Sequence, residues 1–304
     1  MKRKRFLIVI AGPTAVGKTE LCINLARELE CDIISSDSRQ FYKELSIGTA
    51  KPTPEELKAV KHHFIDFISI NEEFSAGKFE IATLNLLEEL FVNTETVLMT
   101  GGSGLYIQAI CKGMNEIPDI NLAFRDELYE ELSIDGLEPL LQELSVKDPQ
   151  YFRVVDQKNP QRIIRALEVC RGTGQPYSGF RTDGYFERDF NIIKIGIERE
   201  RAELFERINS RVDSMIAAGL IEEAQQFFDK RHLNALKTVG YKEVFGYLDK
   251  EYDRNEAIRL LKRNTRRYAK RQLTWFKKDS EFIWFQPDNV EGILRHIHYM
   301  IGNK

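Results

Sequence analysis

The stretch GPTAVGKT, Gly12 to Thr19, has the spacing G-x-x-x-x-G-K-T and stands between an apolar run, FLIVIA (6–11), and a helix-like stretch. Such a loop wraps an anion with backbone N–H groups and the positive end of the helix that follows. Lys18 adds a point charge, and the Thr19 hydroxyl is placed to ligate Mg²⁺. The whole loop, Gly12, Pro13, Thr14, Ala15, Val16, Gly17, Lys18 and Thr19, therefore reads as a phosphate site. A nucleotide-hydrolysing protein would add an aspartate at a strand end to hold the metal, and TVLMTGG (96–102) ends without one. Asp66 in HFIDF and Asp37 in DIISSDS are the carboxylates on offer. Asp37 lies just past a strand tip on the loop's edge of the sheet. It reads equally as a base facing an acceptor group and as a cap or turn residue. GGSGLY (101–106) reads either as a second set of backbone donors at that edge or as a tight glycine turn.

A second chemical signal is the run from 254 to 278, which holds ten Lys or Arg against one Glu. On a helix Arg259, Arg263, Arg266 and Lys270 share a face, with Ile258, Leu261, Tyr268 and Trp275 as the packing seam. Like charges four apart destabilise a helix unless something neutralises them, so the run predicts a polyanion partner, RNA or DNA. The formal net charge is −3 over 304 residues, so that contact must be local. Four cysteines, Cys22, Cys31, Cys111 and Cys170, make no C-x-x-C pair and predict small buried hydrophobes in a reducing compartment, without structural zinc. MKRKR before FLIVIA imitates a signal peptide, but the apolar run is short and leads straight into the phosphate loop. No stretch approaches the ~20 apolar residues of a membrane span. The expectation is a cytoplasmic protein with no membrane contact.

Elements must carry these residues. Apolar runs at 6–11, 32–35, 63–68, 96–100 and 191–199 alternate with helical patterns near 17–30, 54–61, 76–91 and after 103. Nearly all-apolar strands alternating with helices predict an α/β fold, a P-loop parallel sheet flanked by helices. Between 114 and 190 the texture is helical, with LAFRDELYEELS, GLEPLLQELSVKD and NPQRIIRALEVCRGTG in sequence. Leu137, Leu140, Leu141 and Leu144 keep the three-four spacing of a buried stripe. The prediction is an α/β domain over 1–113 and 191–304 with an inserted all-helical subdomain over 114–190.

Taken together, GPTAVGKT, DSRQFYKELSIGTAKP (37–52), HHFID (62–66), GGSGLY, PQRIIRALEV (160–169), RVDSMIAAGL (211–220), TVGYKE (238–243) and TRRYAKRQLTWF (265–276) resemble the tRNA dimethylallyltransferases, in order over nearly the whole chain. The resemblance implies that the phosphate is that of dimethylallyl diphosphate with Mg²⁺, and the acceptor is the N6 of adenosine 37 in tRNAs reading codons that begin with U. It implies that Asp37 accepts the N6 proton, that Lys18, Thr19 and Arg211 serve the diphosphate, and that Ser103 contacts the diphosphate or the RNA. Ser38, Arg39, Gln40, Arg125, Gln161, Arg162, Ile163, Ile164 and Arg165 then match segments that contact the tRNA anticodon stem-loop. The helical insertion would help to grip it.

Departures are few. Val16 replaces a common Ser, Ser103 a usual Thr, and Asn121 with Leu122 a frequent Asp-Pro. His62 and His63 read as structural, and the C-terminus lacks the Cys/His zinc finger of eukaryotic relatives, as expected of the bacterial form. The rival readings are a cytokinin-type enzyme prenylating free adenine nucleotides, a P-loop kinase and a non-catalytic RNA-binding protein. The basic helix and the insertion speak against the first, the missing strand-end carboxylate against the second. The third leaves Asp37, Lys18 and Arg211 without a common purpose. A monomer is expected.

Overall fold

A computed structural model of the chain describes residues 4–115, 117–181 and 186–302. In chain order the elements are β1 (Phe6–Ala11), α1 (Lys18–Glu28), β2 (Ile33–Ser35), α2 (Pro54–Ala59), β3 (His62–His63), α3 (Ala76–Leu90), β4 (Thr96–Gly101) and α4 (Gly104–Lys112). They continue with α5 (Ala123–Asp135), α6 (Glu138–Lys147), α7 (Pro149–Phe152), α8 (Pro160–Thr173), β5 (Asn191–Ile197), α9 (Arg201–Ala217), α10 (Leu220–Gln226), α11 (Tyr241–Leu248), α12 (Arg254–Phe276), β6 (Ile283–Phe285) and α13 (Val290–Gly302). Two compact units result, Met1–Cys111 with Glu187–Lys304, and Lys112–Phe186.

The larger unit is built on a six-stranded sheet in the order β3-β2-β4-β1-β5-β6, every pairing parallel. β1 lies at its centre, in register with β4 from Phe6↔Thr96 and with β5 from Phe6↔Asn191. All six of its residues are buried, because helices cover both faces of a parallel sheet. The period-two alternation of a strand divides them: Leu7, Val9 and Ala11 join one apolar core, and Phe6, Ile8 and Ile10 the other. Phe41 anchors the first core with Phe67, Phe74, Phe79 and Tyr106 around it at centroid distances of 5.4–5.7 Å, a spacing at which aromatic pairs add to simple burial.

Two strand expectations change. The run 63–68 yields only the two-residue β3, because Phe64 and Asp66 take positive φ (59° and 54°) and break the extended course. β6 was hidden in the sequence: IWF is three residues long and follows a charged turn, and its place is set by pairing with β5.

The smaller unit is helical. Leu128, Leu140, Leu144, Ile163, Ile164 and Leu167 form its core, while Leu137 and Leu141 only flank it. α8 is capped at both ends, by the Asn159 side chain on Arg162 N and by left-handed Gly174 (φ 71°). Asp148 is fully buried and accepts from Tyr151 N (2.9 Å), Ser178 N (2.7 Å) and Ser178 Oγ (2.8 Å), so its charge costs little there. The sequence placed the insertion's end at 190, four residues late. Phe190 belongs to the larger unit's core, and Arg188 donates to Ile110 O (2.9 Å) and Ala109 O (2.8 Å).

Candidate active site

The sheet order puts the C-terminal ends of β1, β2 and β4 side by side, the edge where parallel α/β sheets take ligands. Three loops leave that edge: 12–17 after β1, 36–40 after β2 and 102–103 after β4. With 49–53, α1, α9 and α12 they enclose a cavity of about 400 Å³.

The phosphate loop turns into α1 through Gly17, whose φ of 108° suits glycine, while Ala15 also sits at positive φ (64°). From Thr14 to Thr19 the loop lines the cavity; Gly12 and Pro13 lie behind it and accept from Lys18 Nζ at 2.9 and 2.8 Å. The ammonium is thus parked on its own loop. Burial lowers its pKa to about 8 against the opposing pull of Asp37, and Arg211 nearby pushes the same way as burial. A doubly charged anion entering the cavity reverses that balance and draws the ammonium forward. Among the described residues the Thr19 hydroxyl and the Arg211 guanidinium make no hydrogen bond or ion pair, although both face the cavity. Burial, and then a second cation, Arg207, lower the Arg211 pKa, with Asp37 and Glu56 opposing them.

Asp37 is neither an N-cap nor spare. Its Oδ1 accepts from Arg39 N at 3.0 Å, an Asx turn that fixes the carboxylate toward the cavity. Burial raises its pKa, with Arg39 N and Lys18 holding it back. Ser103 Oγ accepts from Ser38 N (3.0 Å) and bonds Ser38 Oγ (3.1 Å), so it pins the turn that carries Asp37 and does not line the cavity. Gln40 lines it, but its Nε2 is bound to Thr49 O (3.3 Å) and Ala50 O (3.1 Å). Arg39 turns away, donating to Asn234 O at 2.8 Å. Asp66 faces Lys51 in an ion pair and holds no strand-end position.

The basic run forms the single helix α12, as its spacing predicts. Arg259, Arg267, Lys270 and Arg271 are exposed and Arg263 half so. Arg266 lies toward α9, donating to Asn209 Oδ1 and stacked on Phe205. The packing seam differs from the expected one. Leu261 is buried, but Trp275 is 40% exposed, and Tyr268 faces the cavity. Ala269, Gln272 and Phe276 fill the seam instead, close to the sheet because Gly102 and Gly104 offer no side chains there.

In the smaller unit Glu168 pairs with both Arg125 and Arg165 at 3.1 Å. Gln161 is exposed and Arg162 exposed beside it, whereas Ile163 and Ile164 are buried at 0% and 2%. The two isoleucines therefore hold α8 in its core and cannot touch an RNA. His62 and His63 bond Val60 O and Asp32 Oδ2, both at 2.8 Å, and His62 also lines the cavity. All four cysteines are free and buried.

Sequence reasoning missed Arg207, Gln272 and Glu223. Arg207 lines the cavity while its Nε donates to Ala15 O (2.9 Å), and Arg199 Nε holds Val16 O (2.8 Å) in the same way. The Glu223 carboxylate accepts from Ser46, Ile47 and Gly48 N (2.8–3.0 Å) and from Tyr241 Oη (2.6 Å), fixing the segment that becomes the wall at 49–53. Arg207 and Glu223 lie in no motif, and Gln272, although inside TRRYAKRQLTWF, gives no local sign of its partners, since each acts on backbone from a distant part of the chain.

Fold and site define a P-loop α/β protein whose anion loop opens into a cleft with a buried carboxylate and a basic helix along it. Comparison with known proteins takes this further. The family model of IPP transferases matches residues 40–279, and the chain belongs to that family of prenyltransferases. It is 49% identical over 295 residues to tRNA dimethylallyltransferase 2 of Parabacteroides distasonis, covering 97% of this chain and 99% of that one. A protein of Bacteroides fragilis called tRNA dimethylallyltransferase 1 is also 49% identical, over 97% of this chain and 98% of its own. Among solved structures, a tRNA isopentenylpyrophosphate transferase of Bacillus halodurans has a TM-score of 0.73 and 37% identity, covering 99% of this chain and 98% of that one. A eukaryotic dimethylallyltransferase acting on tRNA has a TM-score of 0.76 at 25% identity, over 90% of this chain and 70% of its own.

Proposed function

We propose that the protein transfers the dimethylallyl group from dimethylallyl diphosphate to N6 of adenosine 37 in tRNAs reading codons that begin with U. The observation that carries this reading is the joint enclosure of the phosphate loop and Asp37 in one cavity, with no carboxylate at the end of β4. The loop amides of Ala15 to Thr19, with Lys18 and Arg211, are matched to charge that grows on a departing diphosphate. N6 attacks the allylic C1 as the C1–O bond breaks, and the proton leaves N6 for the Asp37 carboxylate. A raised carboxylate pKa suits that transfer, because a more basic oxygen accepts the proton more readily.

Among the described residues no group of three or more His, Cys, Asp or Glu is arranged to hold a metal ion. One free hydroxyl, Thr19, in an anion loop suits Mg²⁺, which keeps several waters and binds largely through substrate phosphates. Bound there, the ion would neutralise diphosphate charge.

The tRNA must present an unstacked adenine, and the Tyr268 ring gives the cavity an aromatic wall for it. Arg263, Lys270 and their exposed neighbours Arg267 and Arg271 on α12 would track the RNA backbone, and Arg125, Gln161, Arg162 and Arg165 of the helical unit the anticodon stem. For Arg266, Ser38, Arg39, Gln40 and Ser103 the supported role is to hold the surfaces that meet the substrates. The protein would work in the cytoplasm, as a monomer.

The test incubates purified protein and Mg²⁺ with unmodified tRNA and dimethylallyl diphosphate, followed by digestion and mass spectrometry. N6-dimethylallyladenosine formed only with tRNA and the prenyl donor is the expected result. Prenylated AMP, or phosphate transfer from ATP, would overturn it.

A further inference from the structure

We propose that Gln272 is a positioning residue that ties the phosphate loop to α12, so that RNA bound along the helix and diphosphate bound in the loop influence each other's affinity. The proposal rests on the tRNA reading above and adds to it the route by which the acceptor sets the donor site.

Gln272 is 6% exposed, and its carboxamide is used at both ends. Its Oε1 accepts from Thr14 N and its Nε2 donates to Gly102 O, each at 2.9 Å. One side chain, 258 positions along the chain from Thr14, therefore bridges the phosphate loop and the loop after β4. The Thr14 N–H is withdrawn from any anion, which leaves the later amides of the loop to hold it. How those amides face depends on where Gln272 holds Thr14.

The fit of α12 on this edge has no slack. A Cβ at Gly102 would lie 2.2 Å from Gln272 Nε2, and one at Gly104 would lie 2.3 Å from the indole of Trp275, one turn further along the helix. Glycine at 102 and 104 lets the Gln272 carboxamide and the Trp275 indole lie directly against the loop, where any larger residue would displace them. Close-packed contacts of this kind pass on a displacement instead of absorbing it. Gln272 lies on the side of α12 opposite Arg263 and Lys270, by the 100° step of the helix. A shift of the helix as its basic side meets an RNA must then move Thr14 and Gly102 together.

To test this, the full chain is titrated with inorganic diphosphate and Mg²⁺, with and without a saturating anticodon stem-loop RNA. In the wild type the RNA is expected to change the diphosphate Kd by about 5-fold or more, the lower end of common couplings. Gln272→Met keeps the volume but neither hydrogen bond. It should bring that ratio to about 1 while RNA affinity alone moves less than about 3-fold. Gln272→Glu, which still accepts from Thr14 N but cannot donate to Gly102 O, should fall between. An unchanged ratio in Gln272→Met overturns the coupling, as does a loss of both affinities together with a lowered Tm. Absence of any RNA binding by the wild type would overturn the tRNA reading itself, and this proposal with it.

Discussion

Replacing Asp37 by Asn separates the carboxylate's chemistry from its structural duty. The Asn Oδ1 can still accept from Arg39 N, the 3.0 Å bond that fixes the turn, so the loop should keep its shape. What is lost is the proton acceptor, and a positioned general base contributes about 10²–10⁴ in rate, or about 2.7–5.4 kcal/mol of barrier. Single-turnover prenylation of a stem-loop RNA should slow by that factor. The pH profile is the sharper measure. Asp37 works deprotonated and burial raises its pKa, so activity in the wild type should rise with pH through a limb above the ordinary carboxylate range near ~4. That limb should vanish in Asp37→Asn. At the alkaline side Lys18 binds diphosphate as a cation, and with its pKa at about 8 in the empty cavity, donor affinity should fall as pH rises through that value. The Asp37 charge raises the Lys18 pKa, so its removal should move the alkaline limb toward lower pH. A rate within about 3-fold of wild type, with both limbs in place, would refute the assignment of Asp37 as base.

Gly48→Ala would place a Cβ 2.6 Å from Tyr241 Cζ, displacing the ring that bonds Glu223. It should cost about 1–3 kcal/mol by denaturant unfolding and raise the KM for the prenyl donor, because the 49–53 wall moves. Leu144→Ala empties a fully buried site in the helical unit and should cost about 2–5 kcal/mol, seen as faster hydrogen exchange in 123–173 with inorganic diphosphate affinity unchanged. Reversing Lys270 to Glu should weaken RNA binding at every sequence and lower the salt slope by about 0.7–0.9 for each phosphate it no longer neutralises, as filter binding across a salt series would read.

Residues that act through their own neighbours were legible. The phosphate loop, α12 and the burial of the cysteines follow from spacing and composition. Most of the sheet follows too, because a strand covered on both faces must be apolar throughout. Asp37 was legible only as one of two options, since a turn residue and a base look alike in sequence. Its Asx turn makes it a turn residue in fact, with the remaining oxygen left to the cavity. Ile163 and Ile164 went the other way. They lie in a segment whose family resemblance concerns RNA, yet they are the buried stripe of α8, and their apolar character alone argued for that. The roles of Gln272, Glu223 and Arg207 were illegible because most of their partners are backbone atoms, which leave no mark in the residue types at 14, 46–48 or 15, even though Gln272 lies within TRRYAKRQLTWF. Trp275 was only half placed, because helical spacing gives a face but not what lies against it: its indole rests on Gly104, yet it stays 40% exposed.

The position of β1 also bears on how the chain is made. Its two neighbours are β4, beginning at Thr96, and β5, beginning at Asn191. At about 5–20 residues per second on the ribosome, Asn191 follows Phe6 by roughly 10–40 s. Throughout that interval FLIVIA has one flank without a partner, and the phosphate loop hangs from a half-made sheet. The helical segment between β4 and β5, whose contacts are local, has time to fold before the sheet can close. The nascent protein should therefore acquire its anion site late, after β5 has closed the sheet and α9 and α12 have followed it. A chaperone that covers apolar strand edges would have its longest opportunity just before β5 arrives.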